Sequence, residues 1–306
     1  MEETKLSEAQ QEVLAGALAG AEPGDDDTAD ANVKVVDLSL VSNGTAIHDY
    51  KGGKLTVSLP YTLPEGGKAE NVRVYYMNNR GLIERRKDAK FVDGKVQFTT
   101  THLSTYVVSS KALTAENEFV DVPTNEWYVD TVEWAADNVI TIGKDSTHFG
   151  PLDSCTRVQF VTFLWRAAGR PSVSKNTVNP FTDVSEDLGE EFYQAILWAY
   201  ENGIAVGTTA TTFSPNNNVL RGQAVTFMGR YAKNEDDLAN KTGVEAFDDV
   251  ENEGGVAAYY DSIGWAAANG ISKGNNAAGT TFGPLDNCSR AEMVTFLYRL
   301  FMGISA

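Results

Sequence analysis

The chain has 306 residues, 42% hydrophobic and 10% aromatic, which is enough apolar material for a packed core and argues against global disorder. Its formal charge of −17 is unevenly spread: residues 1–32 hold one Lys against nine acids, residues 33–110 eleven basic against seven acidic side chains, and residues 117–306 twelve against twenty-five. An acidic body disfavours nucleic acid, whose phosphates need a basic field, and no apolar run approaches the about eighteen residues of a spanning helix, so neither partner is expected.

Residues 1–32 read as an acidic tail or tether. Leu6, Val13, Leu14 and Leu18 are partly periodic and fit one short helix over residues 5–20, weakened by Gly16 and Gly20 and followed by the charged linker Glu22-Pro23-Gly24-Asp25-Asp26-Asp27. The stretch has no signal-peptide pattern, so an export signal is expected to lie outside it. From Val33 the hydrophobic period becomes two. Val36, Leu38 and Leu40 alternate, then Leu55, Val57, Leu59 and Tyr61, then Val72, Val74 and Tyr76, then Val96 and Phe98, with Tyr106 and Val108 last. The breaks are turn formers such as Asn43-Gly44, Gly52-Gly53, Gly66-Gly67 and Asp93-Gly94. This predicts a small antiparallel β-sandwich over residues 33–110. His48 and His102 lack partners at ligand spacing and read as surface histidines, and Arg85-Arg86-Lys87 as a solvated hairpin face that can also touch an anionic polymer.

After a linker at residues 111–117 the period turns helical and a phrase recurs. Phe119-Val120-Asp121-Val122 is followed by Trp134, Gly143, Phe149, Pro151 and Arg157; Phe181-Thr182-Asp183-Val184 by Trp198, Gly207, Phe213, Pro215 and Arg221; Phe247-Asp248-Asp249-Val250 by Trp265, Gly274, Phe282, Pro284 and Arg290. The repeats span residues 117–170, 178–233 and 244–302. In the first, Tyr128, Val132, Ala135, Ala136 and Val139 form one helical stripe and Val158, Val161, Leu164, Trp165 and Ala168 a second, so each repeat is helix, loop, helix. Helix pairs this short bury their stripes only by packing on one another, so the three copies form one body. Cys155 and Cys288 occupy equivalent positions where repeat two has Val219, which marks a small buried apolar site and not a disulfide or zinc ligand. No cofactor or metal is expected.

The chemistry concentrates at the start of each second helix. Thr156 with Gln159, and Ser289 with Glu292, have capping-box spacing. The next residue, Arg157 or Arg290, puts a cation at a helix end that is already partly positive. Exposed amides, the helix dipole and a guanidinium together suit a carboxylate or phosphate. The competing reading pairs each Arg with an acid such as its own repeat's Phe-x-Asp aspartate, as a brace. The residues alone leave both open.

Phe-x-Asp-Val, Trp-Ala with Gly-Ile-x-x-Gly, Phe-x-Pro and the Thr-Arg-Ala-Glu-like helix start, three times in register over roughly residues 117–302, resemble the S-layer homology module. The resemblance implies a mainly helical pseudo-threefold trimer of repeats with a central helical bundle, making the whole chain a multidomain α+β protein. It also implies a non-catalytic, extracellular role: non-covalent anchoring to the Gram-positive cell wall by binding a secondary cell-wall polysaccharide, often bearing a pyruvate ketal, a peptidoglycan-associated glycan. By position the family's binding arginine falls on Arg157, Arg221 and Arg290. Its glycine-rich segment falls on Val139 to Gly143, Gly203 to Gly207 and Gly270 to Gly274, and its aromatic helix position on Trp134, Trp198 and Trp265, each of which also fits a core tryptophan. The copies differ. Ser289-Arg290-Ala291-Glu292 is nearest the family pattern and Thr156-Arg157-Val158-Gln159 next, while Leu220-Arg221-Gly222-Gln223 lacks the capping hydroxyl and is expected to be weaker or silent. The β-module, with Thr101-His102-Leu103-Ser104-Thr105-Tyr106, is similar to small spacer domains that precede such triplets in surface proteins of anaerobic Firmicutes.

Two rival classes are less favoured. A glycoside hydrolase needs two carboxylates across a cleft, whereas Asp121, Asp183 and Asp249 recur with the fold and no nucleophile-elbow, zincin or phosphate-loop pattern occurs. A protein-binding scaffold, or the anchor of a surface enzyme whose catalytic domain lies elsewhere, remains the alternative. Asp249, Glu251, Glu253 and Gly254 imitate half a calcium loop, but Tyr260 stands where the bidentate Glu belongs. The fragment is expected to be monomeric.

Overall fold

The computed structural model describes residues 6–11, 14, 33–42, 45–47, 53–101, 103–110, 119–235 and 247–303. The chain divides into two compact units, Met1–Asn117 and Glu118–Ile304. His48, His102 and the linker at 111–117 lie outside the described residues.

The first unit is antiparallel β throughout its described strands. Strands β1 (Lys34–Asp37), β9 (Thr105–Ser109), β5 (Arg73–Met77) and β6 (Ile83–Arg85) form one sheet in that order, β4 (Leu55–Pro60), β8 (Lys95–Thr100) and β7 (Lys90–Val92) a second, and β2 (Leu40–Ser42) with β3 (Thr45–Ile47) a separate hairpin. The alternation in β8 gives each side chain a face: Val96 and Phe98 point inward and are buried, while Lys95 and Gln97 are exposed. Phe98 packs on Tyr106 of β9 with ring centroids 4.9 Å apart, so the two sheets meet through aromatic side chains. Arg86, expected to be solvated, donates to Thr99 O at 3.1 Å and lies 3.5 Å from Glu84.

Strands β5 and β9 depart from simple alternation, because nearly every residue in them is buried. Their second face, with Tyr75, Met77, Ile83 and Val107, forms a cluster with Leu14 of the N-terminal stretch, against which Leu6, Val33 and Val35 also pack. Gln10 Nε2 donates to Asn78 O at 3.1 Å and Ser7 Oγ to Asn79 O at 3.0 Å, satisfying loop carbonyls beside that cluster. The stretch read as a tail therefore contributes, over its described residues, a cover to the sheet. Burying a leucine such as Leu14, 8% exposed, contributes roughly 1.5–3 kcal/mol.

Among its described residues the second unit holds six α-helices, two per repeat: α1 (Val129–Asp137) and α2 (Arg157–Ala167), α3 (Glu190–Glu201) and α4 (Arg221–Ala232), α5 (Tyr260–Ala268) and α6 (Arg290–Met302). Each second helix packs against the first helix of the following repeat: α2 on α3, α4 on α5, and α6 back on α1. The second helices also touch one another, with Phe160 of α2 edge-on to Phe227 of α4 at 5.8 Å. Where their N-termini meet, Cys155 N donates to Cys288 O at 2.8 Å, Cys288 N to Val219 O at 2.9 Å and Val219 N to Cys155 O at 2.9 Å. The small apolar position of the sequence is thus a closed triangle of backbone hydrogen bonds. Both thiols are free and buried, and burial pushes the Cys155 thiol up to about 12.

First helices end alike. Asn138, Asn202 and Asn269 cap them, and Val139, Gly203 and Gly270 follow at φ 53°, 65° and 66°. Val139 N bonds Ala136 O and Ile140 N bonds Ala135 O, with the same pair of bonds at Gly203–Ile204 and Gly270–Ile271, which is the Schellman pattern. Val139 adopts the left-handed backbone despite its β-branched side chain, so repeat one keeps the path of the other two. No described helix is long and apolar enough to cross a membrane.

Candidate functional site

The aspartate of each Phe-x-Asp motif is tied to its own hairpin. Asp121 accepts from Phe149 N at 2.8 Å and Gly150 N at 2.7 Å, Asp183 from Phe213 N and Ser214 N at 2.8 Å each, and Asp249 from Phe282 N and Gly283 N at 2.7 Å each. Burial pushes the Asp121 pKa up, but the two amides outweigh it and hold the carboxyl below its ordinary value. None of these aspartates forms an ion pair with its own repeat's arginine; Asp183 acts on Arg157 and Asp121 on Arg290 only at longer range, from the neighbouring repeat. Asp249 is also spent in this way and does not begin a calcium loop.

Each motif arginine reaches into the next repeat. Arg157 Nε donates to Phe213 O at 2.9 Å and Nη2 to Val206 O at 3.0 Å; Arg221 Nε donates to Phe282 O at 2.8 Å; Arg290 Nε donates to Phe149 O at 2.8 Å. Every guanidinium lies over the ring whose carbonyl it bonds, 4.8 Å from Phe213, 4.9 Å from Phe282 and 4.7 Å from Phe149, with a second ring 5.3 Å away in each case. The three arginines are 3%, 2% and 3% exposed, and burial lowers the pKa of Arg157 and Arg290. For two of them the bonding is incomplete, since Nη2 of Arg221 and Nη2 of Arg290 are buried without a hydrogen-bond partner. The phenylalanines of Phe-x-Pro, read in the sequence only as repeat markers, are thus the platforms of the site.

The exposed helix amides expected beside the arginines are not there. Arg157 N donates to Asn217 O, Arg221 N to Asp286 O and Arg290 N to Asp153 O; the following amides of Val158, Gly222 and Ala291 donate to Pro215, Pro284 and Pro151. The third amide goes to the cap: Gln159 N to Thr156 Oγ1 at 3.4 Å and Glu292 N to Ser289 Oγ at 3.2 Å. Helix ends that lock one repeat to the next cannot also hold an anion by their first amides. Any anion site here is built on guanidinium groups.

The tryptophans and glycines are placed by packing. Trp134 and Trp198 are 2% and 4% exposed and pack edge-on to Tyr298 and tilted against Tyr231, so burial leaves neither a free face for a sugar; Trp265 is half-buried. A Cβ on Gly143, Gly207 or Gly274 would meet a backbone oxygen of the same hairpin at 2.4, 2.3 or 2.7 Å, which explains these glycines without a ligand. Gly222, expected to weaken repeat two, lies where a Cβ would meet the Tyr259 ring at 2.6 Å, and α4 forms in full. Trp127, which nothing in the repeat register singles out, is 59% exposed and edge-on to Tyr128. A cleft of about 710 Å³ in repeat one is lined by residues including Asp121, Tyr128, Lys144, Asp145, His148 and Asp153. Lys144 already pairs with Asp153 there at 2.5 Å, so this acidic cleft is a poor anion site.

A helical triplet whose repeats are locked by arginines reaching into their neighbours defines a class of repeat-built module, with its chemistry in the seams. The family model of the S-layer homology domain matches residues 118–161, 180–225 and 246–294, and the chain carries three S-layer homology domains. Such domains are cell-wall anchoring modules. Similar proteins include an endoglucanase of Bacillus sp. (strain KSM-635), 33% identical over 44% of this chain and 15% of that protein. An amylopullulanase of Thermoanaerobacterium thermosulfurigenes is 26% identical over 81% of this chain and 13% of its own length. A surface-layer 125 kDa protein of Lysinibacillus sphaericus is 27% identical over 58% of this chain and 14% of its length. The chain spans only a small part of these relatives.

Proposed function

We propose that this chain is a non-catalytic anchor that holds an exported protein on the Gram-positive cell surface by binding the carboxylate of a ketal-pyruvylated secondary cell-wall polysaccharide in the seams between repeats. The repeats act as a pseudo-threefold trimer whose second helices form a central bundle. The observation that carries the reading is the set of Arg157, Arg221 and Arg290: buried cations, seated on aromatic rings and bonded to carbonyls of the next repeat, with Nη2 of Arg221 and of Arg290 left without a partner. A guanidinium in such surroundings favours an anion that supplies the missing acceptors. The β unit serves as a spacer, and the load carried by the anchor belongs to whatever adjoins this segment.

The test is co-sedimentation of the chain with purified wall polysaccharide before and after mild acid removal of the ketal, at low and high salt, beside Arg157→Ala, Arg221→Ala and Arg290→Ala variants checked for folding by circular dichroism. Binding lost with the ketal and weakened by salt is the expected result. Binding indifferent to ketal and arginines alike refutes the anion mechanism, and turnover of the polysaccharide by the chain refutes the non-catalytic role.

A further inference from the structure

Asparagine ends the first helix of every repeat, and the three caps share their bonds. Asn138, Asn202 and Asn269 have ψ 11°, 7° and 8°, and each Nδ2 donates to the carbonyl four residues back, Trp134 O, Trp198 O or Trp265 O, at 2.8, 2.8 and 2.9 Å. The next amide is bonded as well: Val139 N to Ala136 O at 2.9 Å, Gly203 N to Tyr200 O at 3.0 Å and Gly270 N to Ala267 O at 2.8 Å. Asn202 is exposed and the other two are half-buried, so water and base reach every cap. The caps differ in one residue. Repeats two and three read Asn-Gly-Ile where repeat one reads Asn-Val-Ile.

An asparagine before glycine is open to attack by the glycine nitrogen, because no Cβ hinders the ring that forms. That nitrogen, its proton lost to base, bonds to the asparagine Cγ, and Nδ2 leaves as ammonia. Water then opens the cyclic imide, giving aspartate where the bond to Cγ breaks and isoaspartate where the main-chain bond breaks. One water is consumed, one ammonia is released and nothing is oxidised or reduced. The native cap opposes each part of this. The glycine N–H is held by a carbonyl, Nδ2 is held by another, and the observed ψ turns the glycine nitrogen well away from Cγ. We infer that Asn202 and Asn269 are latent deamidation sites, closed while the cap stands and opened when the last turn of α3 or α5 unfolds, and that Asn138 is spared by Val139. The change cannot be reversed by refolding. A carboxylate cannot donate to the Trp198 or Trp265 carbonyl and brings negative charge to a helix end that is already partly negative, while isoaspartate lengthens the main chain inside the Schellman pattern. Each excursion from the native ring therefore marks repeats two and three and leaves repeat one able to re-form its cap. None of this depends on what the seams bind.

The experiment incubates the whole chain at pH 8 with and without urea and follows the peptides that hold the three caps by mass spectrometry, with fragmentation that tells isoaspartate from aspartate. In urea, Asn202 and Asn269 are expected to convert at like rates while Asn138 stays an amide; without urea all three stay amides over the same period. Val139→Gly gives repeat one the same Asn-Gly pair at a position that already holds φ 53°, and its Asn138 is then expected to convert in urea as fast as the other two. Conversion of Asn202 and Asn269 in the folded protein at the urea rate overturns the protection by the cap. Conversion of wild-type Asn138 alongside them, or of neither Asn-Gly pair in urea, overturns the assignment of the sites. Asn202→Asp stands in for one product and is expected to lower the Tm of the repeat unit; an unchanged Tm overturns the lasting damage to the cap.

Discussion

Gly203 offers a clean measure of what the helix ends cost. It holds φ 65° at the end of α3, and a Cβ added there would meet nothing within 4 Å, so Gly203→Ala changes backbone energy without a clash. Placing an L-residue in the left-handed region costs about 1–2 kcal/mol. The smaller entropy of alanine in the unfolded chain returns about 0.4–1 kcal/mol. The net loss is about 1 kcal/mol, or roughly 2–4 °C in Tm for a unit of this size. All five tryptophans lie between residues 127 and 265, so a fluorescence melt reports the repeat unit alone. Gly203→Asn, which tolerates the left-handed region, should recover most of the loss, and Val139→Asn should move stability the other way by no more than about 1 kcal/mol. An unchanged or raised Tm for Gly203→Ala would refute the backbone argument and shift the weight to packing around Ile204.

Three further outcomes are expected. Neither Cys155 nor Cys288 reacts with a thiol reagent in the native protein at pH 8, because burial keeps both thiols protonated, and both react once it is unfolded; Cys155→Val, mimicking Val219, changes stability by less than about 1.5 kcal/mol. Asp121 has a lowered folded pKa, so its contribution is complete above the unfolded carboxyl value and is lost as pH falls through the folded one; melts stepped from pH 7 to pH 2 should show acid destabilisation that Asp121→Asn diminishes. Leu14→Ala opens a cavity on the sheet face of the β unit and costs about 2–5 kcal/mol, seen as an earlier loss of β circular dichroism with the tryptophan melt unmoved.

The repeats were legible because their signals are local: the period of the stripes, the cap spacings and the glycine after each first helix all act within a few residues. The partners of the arginines were not, since Arg157, Arg221 and Arg290 bond carbonyls 56, 61 and 141 residues away. Nor could a helix start tell whether its amides face solvent or the neighbouring repeat, which is why exposed amides were expected and bonded ones found. In the β unit the alternation marked the strands but not what covers Tyr75 and Met77, because Leu14 comes from a stretch whose composition reads as a tail. Glu292 was legible as a cap and not as the partner of Arg221, because the same carboxylate does both.

The backbone triangle at Cys155, Val219 and Cys288 fixes arithmetic as well as shape. In an open stack of repeats a further copy can always be added at either end, and the outermost copies need polar caps. Here every donor of the triangle is matched by an acceptor and the last repeat returns to the first, so there is no end at which a fourth copy could attach. Loss of one copy would equally leave two unmatched seams rather than a shorter version of the same body. A lineage that wants stronger anchoring from this architecture must duplicate the whole ring or alter its seams one residue at a time.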